Sequence, residues 1–282
     1  MMDTHESKVR AFYDSASACY EHFMGDRWHH GDPDAEREGK SFLEACQILE
    51  GKVLAASGLT ADGWALDFGS GIGGPTLHMA SLCAARYVGV TNNDNINRRA
   101  RERAQDAGLD QRVSFLTVGD TDYQHLPFPE HSFDAVFFYE SVCHLPDKAA
   151  FFREASRVLK PGGRIAGIDW LQRPFREYQT DEQIESVMRP VNELIRIPWH
   201  GTVARYRDMM ERAGLIILEA RDLFDGVECW GSTPEDQRDE WLTYAGPEGE
   251  LFQKGKAALD EARRAGVFTV GMFAAQKPPG PG

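Results

Sequence analysis

The chain has 282 residues, of which 42% are hydrophobic, 27% charged and 11% aromatic, enough to bury the core of one large domain or of a domain carrying an insertion. A formal net charge of −13 argues against a nucleic-acid backbone or an anionic membrane as partner, because both select clustered Lys and Arg. The five scattered cysteines form no CxxC pair, and neither a basic-apolar leader nor a run near the ~18 apolar residues of a span is present, so a cytoplasmic monomer or homodimer acting on a small molecule is expected.

In chain order, Met1–Glu6 is expected to be disordered, and Ser7–Tyr20 and Lys40–Ala56 read as helices. From Trp64 to Asp169 short apolar runs alternate with amphipathic segments, the pattern of βαβ units on a parallel sheet. Strands are predicted at Trp64–Phe68, Tyr87–Thr91, Val113–Val118, Phe133–Tyr139 and Arg164–Asp169. Between them lie helices at Thr76–Leu82, at Asn95–Ala107 before Gly108, and at Lys148–Leu159 before Pro161-Gly162-Gly163. Gln172–Gly201 and a second piece around Asp225–Arg264 lack a sheet partner and read as a helical lid over the carboxyl edge. A helix at Val203–Ala213 and strands at Leu215–Arg221 and Val267–Ala275 bring the sheet to seven strands, and disorder is expected again at Lys277–Gly282, whose Pro-Gly tail can form neither helix nor strand.

The first strand runs into Asp67-Phe68-Gly69-Ser70-Gly71-Ile72-Gly73-Gly74 and then a helix. Such glycines let the backbone approach a ligand, and amides at the helix start offer donors, although a tight turn alone would also explain them. A dinucleotide fingerprint places its glycines directly after the strand and an acid about 20 residues later. Here the acid, Asp67, comes first. That carboxylate suits an ammonium group or a sulfonium-bearing amino acid and would repel a pyrophosphate.

This stretch resembles motif I of class I S-adenosylmethionine-dependent methyltransferases, and further landmarks follow in register: Val118-Gly119-Asp120, Leu126-Pro127-Phe128, Ser132–Val136 and Arg157–Gly163. The resemblance implies an α/β fold with a Rossmann-like, seven-stranded, mostly parallel sheet, helices on both faces and a helical lid. It implies S-adenosylmethionine as cofactor and S-adenosylhomocysteine as product, with Asp67, Gly69, Ser70 and Gly71 in the binding loop. Thr91-Asn92-Asn93-Asp94 is similar to the Asn-rich stretch of sterol C-methyltransferases, and the Asn92 or Asn93 amide can serve the ribose. Ile96 stands where many relatives carry Gln, so one ribose contact is not expected. Asp120 is implied to accept from the adenine amino group and Thr121 to place its amide near the ring; Asp120 would otherwise be a turn residue. The chain divides into an N-terminal helical lid (1–56), the cofactor-binding core (57–171), a lid insertion (172–202), a segment completing the sheet around a helical insertion (203–277) and a disordered tail (278–282).

Strand ends are where open α/β folds gather ligand-binding groups, so Glu140 and His144, after the fourth strand, point to the reacting centre. Related small-molecule methyltransferases share this E-x-x-x-H, and in prenyl and sterol C-methyltransferases the corresponding Glu, which also borders the cofactor, is the proposed proton acceptor. A network that merely orients the loop is the alternative. Asp169-Trp170 resembles the acidic-aromatic pair of sterol C-methyltransferases: Asp169 is a candidate to stabilise a cation or hold His144 as imidazolium, and Trp170 to offer a ring face. Both would otherwise cap and pack the lid. Phe12-Tyr13-Asp14, Tyr20–Gly25 and Trp28-His29-His30-Gly31 resemble the lid of sterol, sarcosine and sugar O-methyltransferases, in which a tyrosine closes over the cofactor's methionine portion; Tyr20 is the first candidate and Tyr13 the second. Trp28, His29, Trp170, Trp199, His200 and Trp230 are candidates for the acceptor pocket. No HxxxH or comparable pair appears, so no metal is assigned.

Together these features favour C-methylation of an isoprenoid or other alkene-bearing metabolite through a carbocation quenched by Glu140 or His144. O- or N-methylation of a sugar or natural product, with His144 as general base, is the alternative. A non-catalytic cofactor-binding scaffold is the reading from another class.

Overall fold

The computed structural model describes residues 4–174, 179–229, 240, 242–246 and 249–280. Helices α1 (His5–Met24), α2 (Pro33–Arg37) and α3 (Phe42–Ser57) precede the first strand. Then come β1 (Trp64–Phe68), α4 (Gly74–Leu82), β2 (Arg86–Thr91), α5 (Asp94–Asp106), β3 (Val113–Thr117), β4 (Phe133–Tyr139), α6 (Lys148–Val158) and β5 (Leu159–Gln172). The remainder supplies α7 (Asp181–Ile195), α8 (Val203–Arg212), β6 (Ile216–Asp222), α9 (Gly249–Arg264) and β7 (Phe268–Gln276). The strand order is β3-β2-β1-β4-β5-β7-β6, with β7 antiparallel to both neighbours and the other pairings parallel.

Two apolar clusters fill the faces of this sheet. Leu49 and Val53 of α3, Met79 and Ala80 of α4, and Ala100 and Ala104 of α5 pack on one face, together with α1, α7 and α9. On the other face Phe151 and Phe152 of α6 and Tyr206 and Met210 of α8 pack against β4, β5 and β7. Local chemistry sets the ends: Ser41 and Glu44 form a reciprocal capping box on α3, Thr180 and Gln183 do so on α7, and Asn93 caps α5 through Ile96 N–H at 3.1 Å.

The structure departs from the sequence expectations at four places. The first helix begins at His5, inside the segment expected to be disordered, and Asp32 caps the unanticipated α2, which starts with proline. Strand β5 runs well beyond Arg164–Asp169 at both ends, because Leu159 pairs with Phe133 and β7 pairs along its length from Arg164 to Gln172. Pro161-Gly162-Gly163 therefore lies in the irregular start of a strand, and α6 ends before it. Lys277 is tied down, its ammonium donating to the carbonyls of Ser156 at 2.6 Å and Leu159 at 2.8 Å. Each of the two pieces expected to form a lid contains a helix, α7 and α9, and these pack on each other. Among the described residues no helix is long and apolar enough to cross a membrane.

Candidate active site

A cleft of about 1110 Å³, open to solvent at its mouth, lies at the carboxyl ends of β1, β2 and β4, where the strand order reverses. Its floor is the loop after β1. Gly69 has φ +76°, and a Cβ there would stand 2.3 Å from the Cβ of Ser141, so the loops after β1 and β4 touch only because residue 69 has no side chain. The Ser141 hydroxyl closes that contact by donating to the Phe68 carbonyl at 2.7 Å.

Asp67 is buried beneath this loop. Its Oδ2 accepts from the Thr76 hydroxyl at 2.5 Å, whereas Oδ1 and the buried hydroxyl of Ser70 have no hydrogen-bond partner. Burial pushes the Asp67 carboxyl up to about 7; the Thr76 bond opposes this, Glu50 adds to it and His29 reduces it. A buried acceptor left without a donor costs free energy until one arrives. Orphaned Asp67 Oδ1 and Ser70 Oγ, beside a glycine loop in the cleft, fit the ammonium-bearing amino-acid portion of S-adenosylmethionine.

Thr91, Asn92, Asn93 and Asp120 line the adjoining part of the cleft with Ile96, Val118 and Tyr123. Asp120 Oδ1 accepts from Asn92 Nδ2 at 3.0 Å and from Arg10 of α1 at 2.5 Å. Asn93 is already engaged at both ends, capping α5 and donating to Asp14 at 2.8 Å, which leaves Asn92 as the better placed amide. Thr121 is exposed and does not line the cleft; Tyr123, two residues on, does.

A second chamber of about 660 Å³ adjoins the first, walled by Phe12, Tyr20, Met24, Trp170, Phe252 and aliphatic residues of α7 and α9. Both spaces share Tyr13, Trp28, Glu140 and His144. Glu140 directly follows β4 at φ +50°, a left-handed conformation unusual for a side chain of this size. Its Oε1 accepts from the His30 backbone N–H at 2.9 Å and from His30 Nδ1 at 2.8 Å, while Oε2 accepts from the Trp170 indole. Burial raises this carboxyl, but the charge and hydrogen bonds of His30, assisted by His29, outweigh it and hold Glu140 below the ordinary Glu range. Glu140 is thus a buried carboxylate facing aromatic rings.

His144 Nδ1 lies 3.1 Å from the Arg196 carbonyl, which can only accept, so Nδ1 carries the proton. Its Nε2 then accepts from the Tyr13 hydroxyl at 2.9 Å. Burial lowers the imidazole to about 4, and Lys148 and His5 push the same way against the Arg196 bond. His144 is accordingly a neutral ring with its basic nitrogen at the junction of the two spaces.

Asp169 does not hold His144. It is fully buried behind the junction, its carboxylate accepting from the Tyr206 hydroxyl at 2.8 Å and the Trp170 N–H at 2.9 Å, and it lines neither space. Burial raises its carboxyl to about 7, against the opposing pull of the Tyr206 hydrogen bond and Lys148, and a group that lines neither space does not face a cation there. Of the two candidate tyrosines, Tyr13 borders both spaces and meets His144, whereas Tyr20 borders only the aromatic chamber. Trp28, stacked on Tyr13 with ring centroids 6.2 Å apart, and Trp170 are pocket residues. His29 borders the cofactor cleft instead. Trp199 and His200 line neither space: the Trp199 indole donates to the Pro146 carbonyl beneath Lys148 and Arg205, and His200 bonds Asn192 at 2.7 Å. Trp230 lies outside the described residues.

Sequence reasoning missed His30 and a buried cluster on Glu50 of α3. Glu50 accepts from Arg27 Nε and His29 Nε2, each at 3.0 Å, and from His78. His29 also donates from Nδ1 to the His30 carbonyl at 2.7 Å, so both ring nitrogens carry protons. This cluster anchors the segment that presents Trp28 and His30. The Trp28-His29-His30 run was the available signal, but the carboxylate partners of its two histidines lie 21 and 110 positions away.

Residues 66–167 match the family model described as a methyltransferase domain. Cycloartenol-C-24-methyltransferase of Arabidopsis thaliana is 35% identical over 163 residues, 57% of this chain and 46% of that protein, so the chain spans about half the length of this relative. Methyltransferase GfsG of Streptomyces halstedii is 29% identical over 254 residues, covering 90% of this chain and 89% of its own. The [4+2]-cyclase SpnF is similar in structure, with a TM-score of 0.81 at 23% identity over 98% of this chain and 97% of its own, a likeness of fold alone.

Proposed function

We propose, from the match of residues 66–167 to a methyltransferase domain, that the chain is an S-adenosylmethionine-dependent enzyme that methylates a carbon of an alkene-bearing, isoprenoid-like molecule held in the aromatic chamber. One observation carries this reading: the cofactor cleft and the chamber share a wall in which an ionised carboxylate, Glu140, and a neutral imidazole, His144, stand beside aromatic rings. The naming of a C-24 methylation in the Arabidopsis relative supports it.

When bound, S-adenosylmethionine supplies an electrophilic methyl group on a sulfonium. Asp67 and the Gly69–Gly71 loop bind its amino-acid portion, and Asn92 offers an amide for the ribose. Phe12, Tyr20 and Phe252 exclude water and hold the alkene against the shared wall, which lowers the entropic part of the barrier. Once the alkene carbon has taken the methyl group, positive charge resides on the acceptor. Glu140 faces it with a full negative charge in a poorly screened space, and Tyr13, Trp28 and Trp170 offer ring faces. A proton beside that cation is acidic enough for a weak base, and His144 Nε2 takes it after the Tyr13 hydroxyl swings aside.

The test is transfer of labelled methyl from S-adenosylmethionine to prenyl diphosphates, sterol-like lipids and phenols, with the product's new bond located by NMR. A new carbon–carbon bond with loss of one acceptor hydrogen supports the reading. S-adenosylhomocysteine binding without turnover on any acceptor would favour the scaffold instead. O-methylation stays the second reading for a specific reason: a hydroxyl 2.9 Å from a neutral imidazole nitrogen is the contact a general base makes with an alcohol, and Tyr13 already makes it.

A further inference from the structure

The wall that α9 gives the chamber comprises Leu251, Phe252, Gly255, Lys256 and Leu259, one face of the helix by their spacing. Opposite stand Leu194 and Ile195 of α7. A glycine in the interior of a 16-residue helix needs a cause, since it is among the poorest residues there. Backbone conformation is not the cause, because Gly255 is absent from the residues with positive φ. Crowding is not the cause either: a Cβ at this position would meet Ile195 Cγ1 at 3.7 Å and Leu194 Cβ at 4.0 Å, ordinary contact distances. Alanine would fit and would favour the helix. What a larger side chain would do is occupy the chamber that Gly255 lines.

We propose that Gly255 is a specificity-determining residue, a bare stretch of wall that sets how large an apolar acceptor the chamber admits. The inference rests on reading the chamber as the acceptor site. Lys256, the charged residue on this wall, is paired with Asp260, so the surface around Gly255 offers an acceptor apolar contact.

The experiment is calorimetric titration of the S-adenosylhomocysteine-loaded protein with geraniol, farnesol and geranylgeraniol, for wild type, Gly255→Ala and Gly255→Leu, alongside melting temperatures. Wild type is expected to bind the series. Gly255→Leu should bind farnesol and geranylgeraniol at least tenfold more weakly, with a smaller loss for geraniol and S-adenosylhomocysteine binding unchanged. Gly255→Ala should melt no lower than wild type and show the same size-dependent loss in weaker form, which decides the matter if the leucine variant does not fold. Equal affinities across the series for wild type and Gly255→Ala, or for wild type and a folded Gly255→Leu, would overturn the proposal. Wild type that binds S-adenosylhomocysteine but none of the alcohols would instead remove the acceptor chamber, and this inference with it.

Discussion

The strand ends that floor the site and the helices that roof it hold their groups by different means. Floor groups are placed by backbone: Asp67 is the penultimate residue of a strand paired on both sides, Gly69 turns at φ +76° against Ser141, and Glu140 leaves β4 at φ +50°. Roof groups arrive on α1 and the segment after it and are held by side-chain contacts, Arg10 to Asp120, Tyr13 to His144, His30 to Glu140, and Arg27 and His29 to Glu50. Sheet pairing fixes the floor whether or not a ligand is present. Lifting the roof to admit or release a cofactor would mean exchanging these polar contacts and parting the packing of Phe12 and Ala16 against the core.

If the carboxylate at the shared wall serves the acceptor and not the cofactor, Glu140→Gln should lower turnover by about 10²–10³-fold while S-adenosylhomocysteine binding is kept. Parallel loss of both would erase the distinction between the two spaces. Next in size, Asp67→Ala removes the acceptor for the ammonium group. Its S-adenosylhomocysteine affinity should fall about 30- to 150-fold, the ~2–3 kcal/mol of a charge-assisted bond, in calorimetry on a protein that still melts cooperatively.

For the roof, Glu50→Gln leaves the doubly protonated His29 buried without its counter-charge and Arg27 with Asp26 as its remaining carboxylate. About 3–5 kcal/mol of stability should be lost in denaturant melts, and an unchanged midpoint would show that the cluster does not anchor segment 27–30. Acidity gives a subtler contrast. With its carboxyl near 7, Asp67 holds a proton below neutrality, whereas an ammonium ligand pairs with the ionised form. Binding must then expel that proton, so S-adenosylhomocysteine affinity should fall about tenfold per pH unit below 7 and level off above it. Glu50, lowered to about 2 because its hydrogen bonds to His29 and His78 outweigh burial, stays charged throughout this range. Titration in buffers of different ionisation enthalpy measures the proton released. Smallest of all, Tyr13→Phe frees His144 Nε2 and should alter turnover only several-fold, upward if the hydroxyl must move aside.

The same contrast decides what could be read from the chain. Trp64–Phe68 and Phe133–Tyr139 were legible to the residue because short apolar runs between turn signals have one comfortable conformation, and Asp67 with its glycines followed from the turn they must make. The extension of β5 was not legible, since its partner strand begins about a hundred residues later. Tyr13 and Tyr20 lie seven positions apart on one face of α1, and only the docking of that helix decides which meets His144. The surroundings of Asp169 were hidden for a like reason: nothing near it in the chain announces that Tyr206, on a later helix, would donate to its carboxylate.

The antiparallel β7 has a practical corollary for immobilising the protein. Because it runs back along β5, it returns the chain to the edge where β5 begins, and residues 278–280 emerge there, exposed, opposite the cleft. Thr4, by contrast, is one residue from His5, whose ring donates to the His144 carbonyl at 3.0 Å. A surface linker at Gly280 therefore leaves the mouth of the cleft facing solution, whereas one at Thr4 would tether the roof itself.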